Sequence, residues 1–426
     1  MKVAIIGAGY VGLSTGLGLA SKKHAVICID IDREKIEKLR SGIISIYEGG
    51  MENLLKKFSG NNFTAAENII NAKDAEIIFI CVGTPVDEKG NMNLNYIKSA
   101  AKSTAKIIDK KYKVIVVKST VLPETTEKII LPILEKESWG EAGKDFGVCM
   151  NPEFLREGSA LEDFLNPDRI VIGEYDKKSG DILEKLYRDF NSRIIRTNIK
   201  TAEMIKMASN AFLASKISVI NEIGNICKKL GIDTYEVSSC MGYDKRIAPY
   251  FLNAGIGFGG SCFPKDIKSL AEKAAEINYD AKLLKTVMEI NTLQKTIIID
   301  LLENKIGGIK NKKIAILGLA FKAGTDDIRE APSVDIIRIL LEKKAKIHAF
   351  DPKAKGNMKK IFNEITYSKS IKEALDKADA CLILTEWPEF TKLTDKDFSV
   401  MENKTIIEGR RVLDKKKVSN FEGICW

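Results

Sequence analysis

The stretch GIGFGGSCFPKD, Gly255 to Asp266, places one cysteine behind four glycines and in front of Pro-Lys-Asp. The residues that follow read as a helix starting near Pro264, since proline is favoured in a first helical turn. The sulfur of Cys262 then lies at a helix N-terminus, where free N–H groups and the helix dipole stabilise a thiolate or an oxyanion. Lys265 adds positive charge and Asp266 works against it. A lone cysteine is otherwise a small buried filler. The glycines either turn the chain or clear room for a substrate to reach the sulfur.

Three other groups carry chemistry. In EMIKMASNAF, Lys206 and Asn210 are four residues apart and so share one face of a helix. A helical lysine is usually solvated, but this helix offers little solvated face. In NPEFLREG, Glu153 and Glu157 follow a strand, at the end of a parallel sheet where ligands bind; helix capping or a surface position is the alternative. Thr84 in CVGTP and Thr120 in VVKSTV also end strands, where a hydroxyl faces a cofactor or holds a water. The two histidines, His24 and His348, precede or open second strands and read as structural. A proton acceptor must therefore be sought among Lys, Asp, Glu or water.

The elements that position these groups begin with KVAIIGAGYVGLSTGLGLASKKHAVICIDID, which reads strand, glycine turn, helix, strand. Gly7, Gly9 and Gly12 form G-x-G-x-x-G, and Asp30 ends the second strand about 20 residues on, the dinucleotide-binding arrangement. The pyrophosphate belongs at the helix N-terminus, beside Tyr10 and Val11. Asp30 favours NAD over NADP, with Arg33 and Lys35 nearby. Further strands are expected at EIIFICVGTP, KVIVVKSTV, FGVCMNPEF and DRIVIG, as in a parallel sheet. From Thr201 to Gly231 a helix apolar nearly all round is expected to be buried, joining domains and packing on a second subunit.

After a helical middle, KKIAILGLAFKAGTDDIREAPSVDIIRILLEKKAKIHAFDPK repeats the opening pattern with a broken glycine fingerprint, and so suits a different ligand. The fold class expected is α/β, with two Rossmann-like parallel-sheet domains joined by a long central helix and a helical middle region. The boundaries expected are 1–197, 198–305 and 306–426.

At 426 residues the chain exceeds one core. Its +9 formal charge comes from scattered lysines, without the basic run or interleaved aromatics of nucleic-acid binding. The eight cysteines include no C-x-x-C pair, so free thiols in a reducing compartment are expected, with no metal. No targeting segment is read, and the expected location is cytoplasmic, with no membrane partner.

Taken in order, GAGYVG, VGTP, KSTV, NPEFLREG, NPDRIVIG, KMASNAF, GIGFGGSCFPKD, GLAFK and GRRVLD span nearly the whole chain. Together they resemble the UDP-glucose/GDP-mannose dehydrogenase family of NAD-dependent nucleotide-sugar dehydrogenases, and GGSCFPKD with KMASNAFLA resembles its UDP-glucose branch. The resemblance implies four-electron oxidation of UDP-glucose to UDP-glucuronate through a thiohemiacetal and a thioester on Cys262. It implies that Lys206 and Asn210 stabilise oxyanions, that Asp266 with a water held by Thr120 accepts protons, and that Glu153 assists hydrolysis.

It also implies NAD contacts from the glycine turn, Asp30, Lys35, Thr84, Pro85, Thr120, Glu157 and Lys265. The substrate would meet Phe154, Leu155, Glu157, Lys206, Asn210, Phe251, Gly259, Phe321, Lys322 and Arg410. Arg246 would cross a homodimer interface into the partner's site. The alternatives are the same chemistry on a UDP-N-acetylhexosamine or GDP-mannose, a two-electron hydroxyacid dehydrogenase of the 6-phosphogluconate type, and a non-catalytic sensor.

Overall fold

The computed structural model describes residues 1–87 and 89–426. The chain divides into two compact units, Met1–Ser209 and Asn210–Trp426.

The first unit is built on eight strands: β1 (Lys2–Ile6), β2 (Ala25–Ile29), β3 (Phe63–Ala66), β4 (Ile77–Ile80), β5 (Val114–Val117), β6 (Gly147–Met150), β7 (Arg169–Glu174) and β8 (Arg193–Asn198). Their order is β3-β2-β1-β4-β5-β6-β7-β8. Every residue of β4, β5 and β6 is buried, as continuous Ile/Val-rich runs require when helices cover both sheet faces.

One pairing departs from the expected parallel sheet: β7 runs antiparallel to β6, with Met150 opposite Gly173. The connection between them holds the NPEFLREG turn and the six-residue Ala160–Leu165 helix. That is not a full crossover, so the chain re-enters from the sheet end at which β6 finished. Two further strands, β3 and β8, lie outside the expected apolar runs. The latter, RIIRTN, is a half-exposed edge without an apolar run.

The second unit contains the helices Thr234–Gly242, Phe263–Glu276 and Lys282–Ile306, followed by a six-stranded sheet. Its strands are β9 (Lys313–Leu317), β10 (Lys346–Phe350), β11 (Thr366–Tyr367), β12 (Ala380–Ile383), β13 (Ile406–Glu408) and β14 (Glu422–Gly423). The order β11-β10-β9-β12-β13-β14 repeats that of the first six strands of the other sheet, here wholly parallel. Two Rossmann-like α/β domains are therefore present.

The chain passes between the units through one 32-residue helix, Ile199–Leu230. The expectation that it is buried all round does not hold within the chain. Ala211, Ala214 and Ile220 are buried, whereas Phe212, Val219, Ile226 and Leu230 are exposed. The exposed four recur at helical spacing and form one stripe. Among the described residues no helix is long and apolar enough to cross a membrane.

Candidate active site

In the first unit the three fingerprint glycines have separable jobs. Gly7 has φ +107°, and a Cβ there would lie 2.8 Å from the carbonyl oxygen of Cys81. A Cβ on Gly12 would overlap the carbonyl oxygen of Gly7 at 1.8 Å, so this glycine lets the Tyr10–Ser21 helix pack on the turn. At Gly9 a Cβ would meet no described atom within 4 Å. That space is open to a ligand at the helix N-terminus, which fits an NAD pyrophosphate. Asp30 accepts hydrogen bonds from Ala8 N at 2.8 Å and Asp32 N at 2.9 Å. A carboxylate offers about four acceptor positions, so ribose hydroxyls still have room.

The strand-end threonines are tied together: Thr84 Oγ1 donates to the carbonyl of Thr120 at 2.7 Å. Ser119 Oγ joins the same two loops by donating to the carbonyl of Val82 at 2.7 Å. Pro85 is exposed beside them, and Lys35 places its ammonium 3.7 Å from Asp32.

Glu153 is buried after β6 and pairs with Lys206 Nζ at 2.9 Å. Its carboxylate also accepts from Leu155 N at 2.6 Å. Burial pushes its pKa up, but the Lys206 charge, the Lys206 hydrogen bond and the Leu155 N–H prevail and hold it below the usual value. Lys206 Nζ lies 5.6 Å from the ring centre of Phe154, and the Arg169 guanidinium lies 3.9 Å from the same ring centre. Glu157 sits half-buried on the same turn. Glu48, absent from the sequence reading, fixes the end of that turn by accepting from Gly158 N and Ala160 N at 2.8 and 2.9 Å.

In the second unit Cys262 immediately precedes the Phe263–Glu276 helix, with Pro264 in its first turn. Six of the eight free cysteines are buried; only Cys240 and Cys262 reach the surface. Asp266, buried in that first turn, accepts from Asn210 Nδ2 at 2.6 Å and from Lys265 Nζ at 2.6 Å. Lys206 and Asn210 thus share a helix but serve different carboxylates, Glu153 and Asp266.

The glycine loop before Cys262 is packed against protein. A Cβ would lie 2.5 Å from Gly409 O at Gly255, 2.5 Å from Asn291 Oδ1 at Gly257, 2.2 Å from Glu330 O at Gly259 and 2.8 Å from the Phe321 ring at Gly260. Three amide side chains unnoticed in the sequence hold the loop. Asn221 accepts from Gly255 N, Gln294 donates to Gly255 O, and Asn291 exchanges two hydrogen bonds with Phe258. No periodicity marks such residues; an amide on an otherwise apolar helix face was the one signal available.

Around this loop, Arg410 donates to the carbonyl of Gly257, and Lys322 lies 5.7 Å from the Phe321 ring centre. Phe251 adopts a left-handed φ of +63°, with its ring 6.1 Å from that of Phe263. Arg246 stands apart, exposed and hydrogen-bonded to Asp244.

Residues 1–191 match the NAD binding domain of the UDP-glucose/GDP-mannose dehydrogenase family, residues 200–293 its central domain and residues 315–415 its UDP binding domain. The chain is 43% identical over 424 residues to the UDP-glucose 6-dehydrogenase TuaD of Bacillus subtilis, covering 99% of this chain and 90% of that one. Among solved structures, a UDP-glucose dehydrogenase from Pyrobaculum islandicum superposes with a TM-score of 0.94 at 37% identity, covering 100% of this chain and 98% of the other. A UDP-D-ManNAc dehydrogenase from Pyrococcus horikoshii gives 0.89 at 30%, covering 100% and 99%. An open glycine turn at a helix start, a surface cysteine at another and likeness along the full length lead to one conclusion: the chain belongs to the UDP-glucose/GDP-mannose dehydrogenase family and is an NAD-dependent oxidoreductase.

Proposed function

We propose that the protein oxidises UDP-glucose to UDP-glucuronate in two successive two-electron steps. The observation that carries this reading is Cys262, an accessible thiol at a helix start with Asp266 in the same first turn. Full-length likeness to proteins named UDP-glucose 6-dehydrogenase supports the choice of sugar. When bound, NAD supplies the hydride acceptor for each oxidation, held by the Gly7–Gly12 turn and Asp30.

In the first oxidation the C6 hydroxyl loses its proton to Asp266 through a water held by Thr120. The Cys262 sulfur then bonds to the aldehyde carbon, giving a thiohemiacetal whose second oxidation leaves a thioester. Lys206 and Asn210 offset negative charge on the reacting oxygen, where a fixed ammonium and amide act most strongly in a water-poor site. Water finally adds to the thioester carbon, the C–S bond breaks, and Glu153 takes the water's proton. The working unit in this reading is a homodimer that covers the Phe212–Val219–Ile226 stripe and brings Arg246 to the partner's substrate. Light scattering should then return twice the 47.3 kDa chain mass.

The experiment is the yield of NADH per UDP-glucose consumed by the reduced protein in excess NAD. Two per molecule is the expected result. One would sink the cysteine mechanism, and none with UDP-glucose but two with a UDP-N-acetylhexosamine or GDP-mannose would reassign the sugar.

A further inference from the structure

Lys118 follows β5 directly, in the motif that also carries Thr120, and none of the roles above uses it. Its side chain is buried, 4% exposed. Nζ donates to Asn151 Oδ1 at 2.8 Å and approaches the Asn151 carbonyl at 3.5 Å. The rings of Phe79 and Phe164 lie 5.8 and 6.0 Å from it. Among the described residues this ammonium makes no ion pair within 4 Å. A buried cation held only by neutral oxygens is costly, and an apolar side chain of similar length would fill the space more cheaply.

What Lys118 holds is the start of the turn that presents Glu153. Asn151 is committed on every side: Oδ1 accepts from Tyr187 OH at 2.6 Å as well as from Lys118, Nδ2 donates to Val171 O at 2.7 Å, and its own N–H donates to Val117 O at 2.9 Å. Pro152 then stiffens the step to Glu153. The charged and titratable groups that face Lys118 are Glu153, Lys206 and the Cys81 thiol, with the Tyr187 hydroxyl on the shared amide. The buried region thus holds two cations, Lys118 and Lys206, around one carboxylate.

We infer that Lys118 is a positioning residue for thioester hydrolysis: through Asn151 it fixes the turn on which Glu153 meets Lys206, and its charge keeps that carboxylate ionised and in place. The inference rests on the reading that Glu153 takes the proton of the hydrolytic water. Burial lowers the Lys118 pKa to about 8, with Cys81 and Glu153 opposing and Lys206 reinforcing the shift. The hydrolytic half of the reaction should therefore weaken as pH rises through about 8, when Lys118 loses its proton.

The test compares Lys118→Met and Lys118→Arg with the parent protein, following NADH by stopped flow and the Cys262 adduct by intact-protein mass spectrometry. In Lys118→Met a displacement of Glu153 by about 1 Å predicts on the order of 100-fold slower hydrolysis. A burst of two NADH per active site should then precede a slow steady state, with the glycosyl thioester accumulating on Cys262 and KM for UDP-glucose falling together with kcat, so that kcat/KM is preserved. Lys118→Arg keeps its charge at all working pH values; it should turn over and lose the alkaline limb near pH 8.

A Lys118→Arg protein with the parent's alkaline limb overturns the inference, even if Lys118→Met fails to fold. So does a folded Lys118→Met that hydrolyses at the parent rate. If the parent itself forms no adduct when stalled and yields one NADH per substrate, it is the proposed function that fails.

Discussion

The two α/β domains repeat one strand order and place an aspartate at the end of the second strand, facing the turn after the first. Asp30 in the first domain is half-exposed and accepts from two backbone N–H groups, those of Ala8 and Asp32. Its counterpart Asp351 is 5% exposed and accepts from five donors: Leu319 N, Ala320 N, Lys353 N, Ala354 N and Trp387 Nε1. Gly7 and Gly318 match, each with a left-handed φ and no room for a Cβ, and the turns diverge two residues on. Gly9 leaves open space, whereas its counterpart Ala320 is buried and its carbonyl accepts from Thr385 Oγ1 at 2.6 Å. One topology thus gives an acid and a turn open to a cofactor, and elsewhere an acid and a turn closed by the protein itself. A carboxylate with about four acceptor positions and five donors has nothing left for a ribose.

The largest effect expected from this contrast is on Asp351→Ala. Five donors, most of them buried, would lose their acceptor, and stranded buried donors cost about 1–3 kcal/mol each without being additive. A net destabilisation of about 3–5 kcal/mol is expected, at the upper end for single substitutions. Urea unfolding monitored by Trp387 fluorescence measures it, and a loss below about 1 kcal/mol would break the comparison by showing that Asp351 is not a structural hub.

Asp30→Ala should behave in the opposite sense. Water can replace it at the half-exposed turn, so stability should hardly change. Losing charged hydrogen bonds to the ribose, worth about 1.5–3 kcal/mol, predicts a rise in KM for NAD of roughly 10- to 100-fold. KM for UDP-glucose should stay as it is. An unaltered NAD KM would mean that Asp30, like Asp351, only braces its own turn.

How far these differences could be read beforehand depends on the range of the interaction. The glycine spacing, the acid in register and the proline after Cys262 are local features, and local backbone requirements are legible in a single sequence. The saturation of Asp351 needs Trp387, and the burial of Lys118 needs Asn151 and Phe164; partners brought together only by tertiary packing leave no spacing to detect. The glycines before Cys262 announced close packing but not the neighbour. Asn291, Glu330 and Phe321 take up that room, so the loop is at least as much a joint within its own unit as an opening for substrate. β11 and β14, two residues each, are too short for any periodicity to show.

The smallest expected effect concerns a respect in which the domains match. Each holds one histidine with a pKa lowered chiefly by burial, His24 and His348. Each unit also holds one glutamate raised chiefly by burial: Glu203 to about 7, and Glu408 upward despite the N–H groups of Leu413 and Val412. The unfolded chain binds more protons at the histidines below their ordinary value of about 6.5, so their contribution to stability falls as pH drops through that window. At the glutamates the folded chain binds more protons between the ordinary value of about 4.5 and the raised one, so their contribution grows as pH drops. Between about pH 5 and 6.5 the two slopes oppose, and the urea midpoint of the parent should vary less than the glutamates alone would make it. Replacing both histidines by Gln should leave the glutamates unopposed, with a midpoint that climbs as pH is lowered across that range. Each single replacement should give part of the slope if the domains are equivalent here. A double variant with the parent's own slope would show that the histidines do not titrate in this window, and a slope arising wholly from His24→Gln would confine the effect to the NAD-binding half.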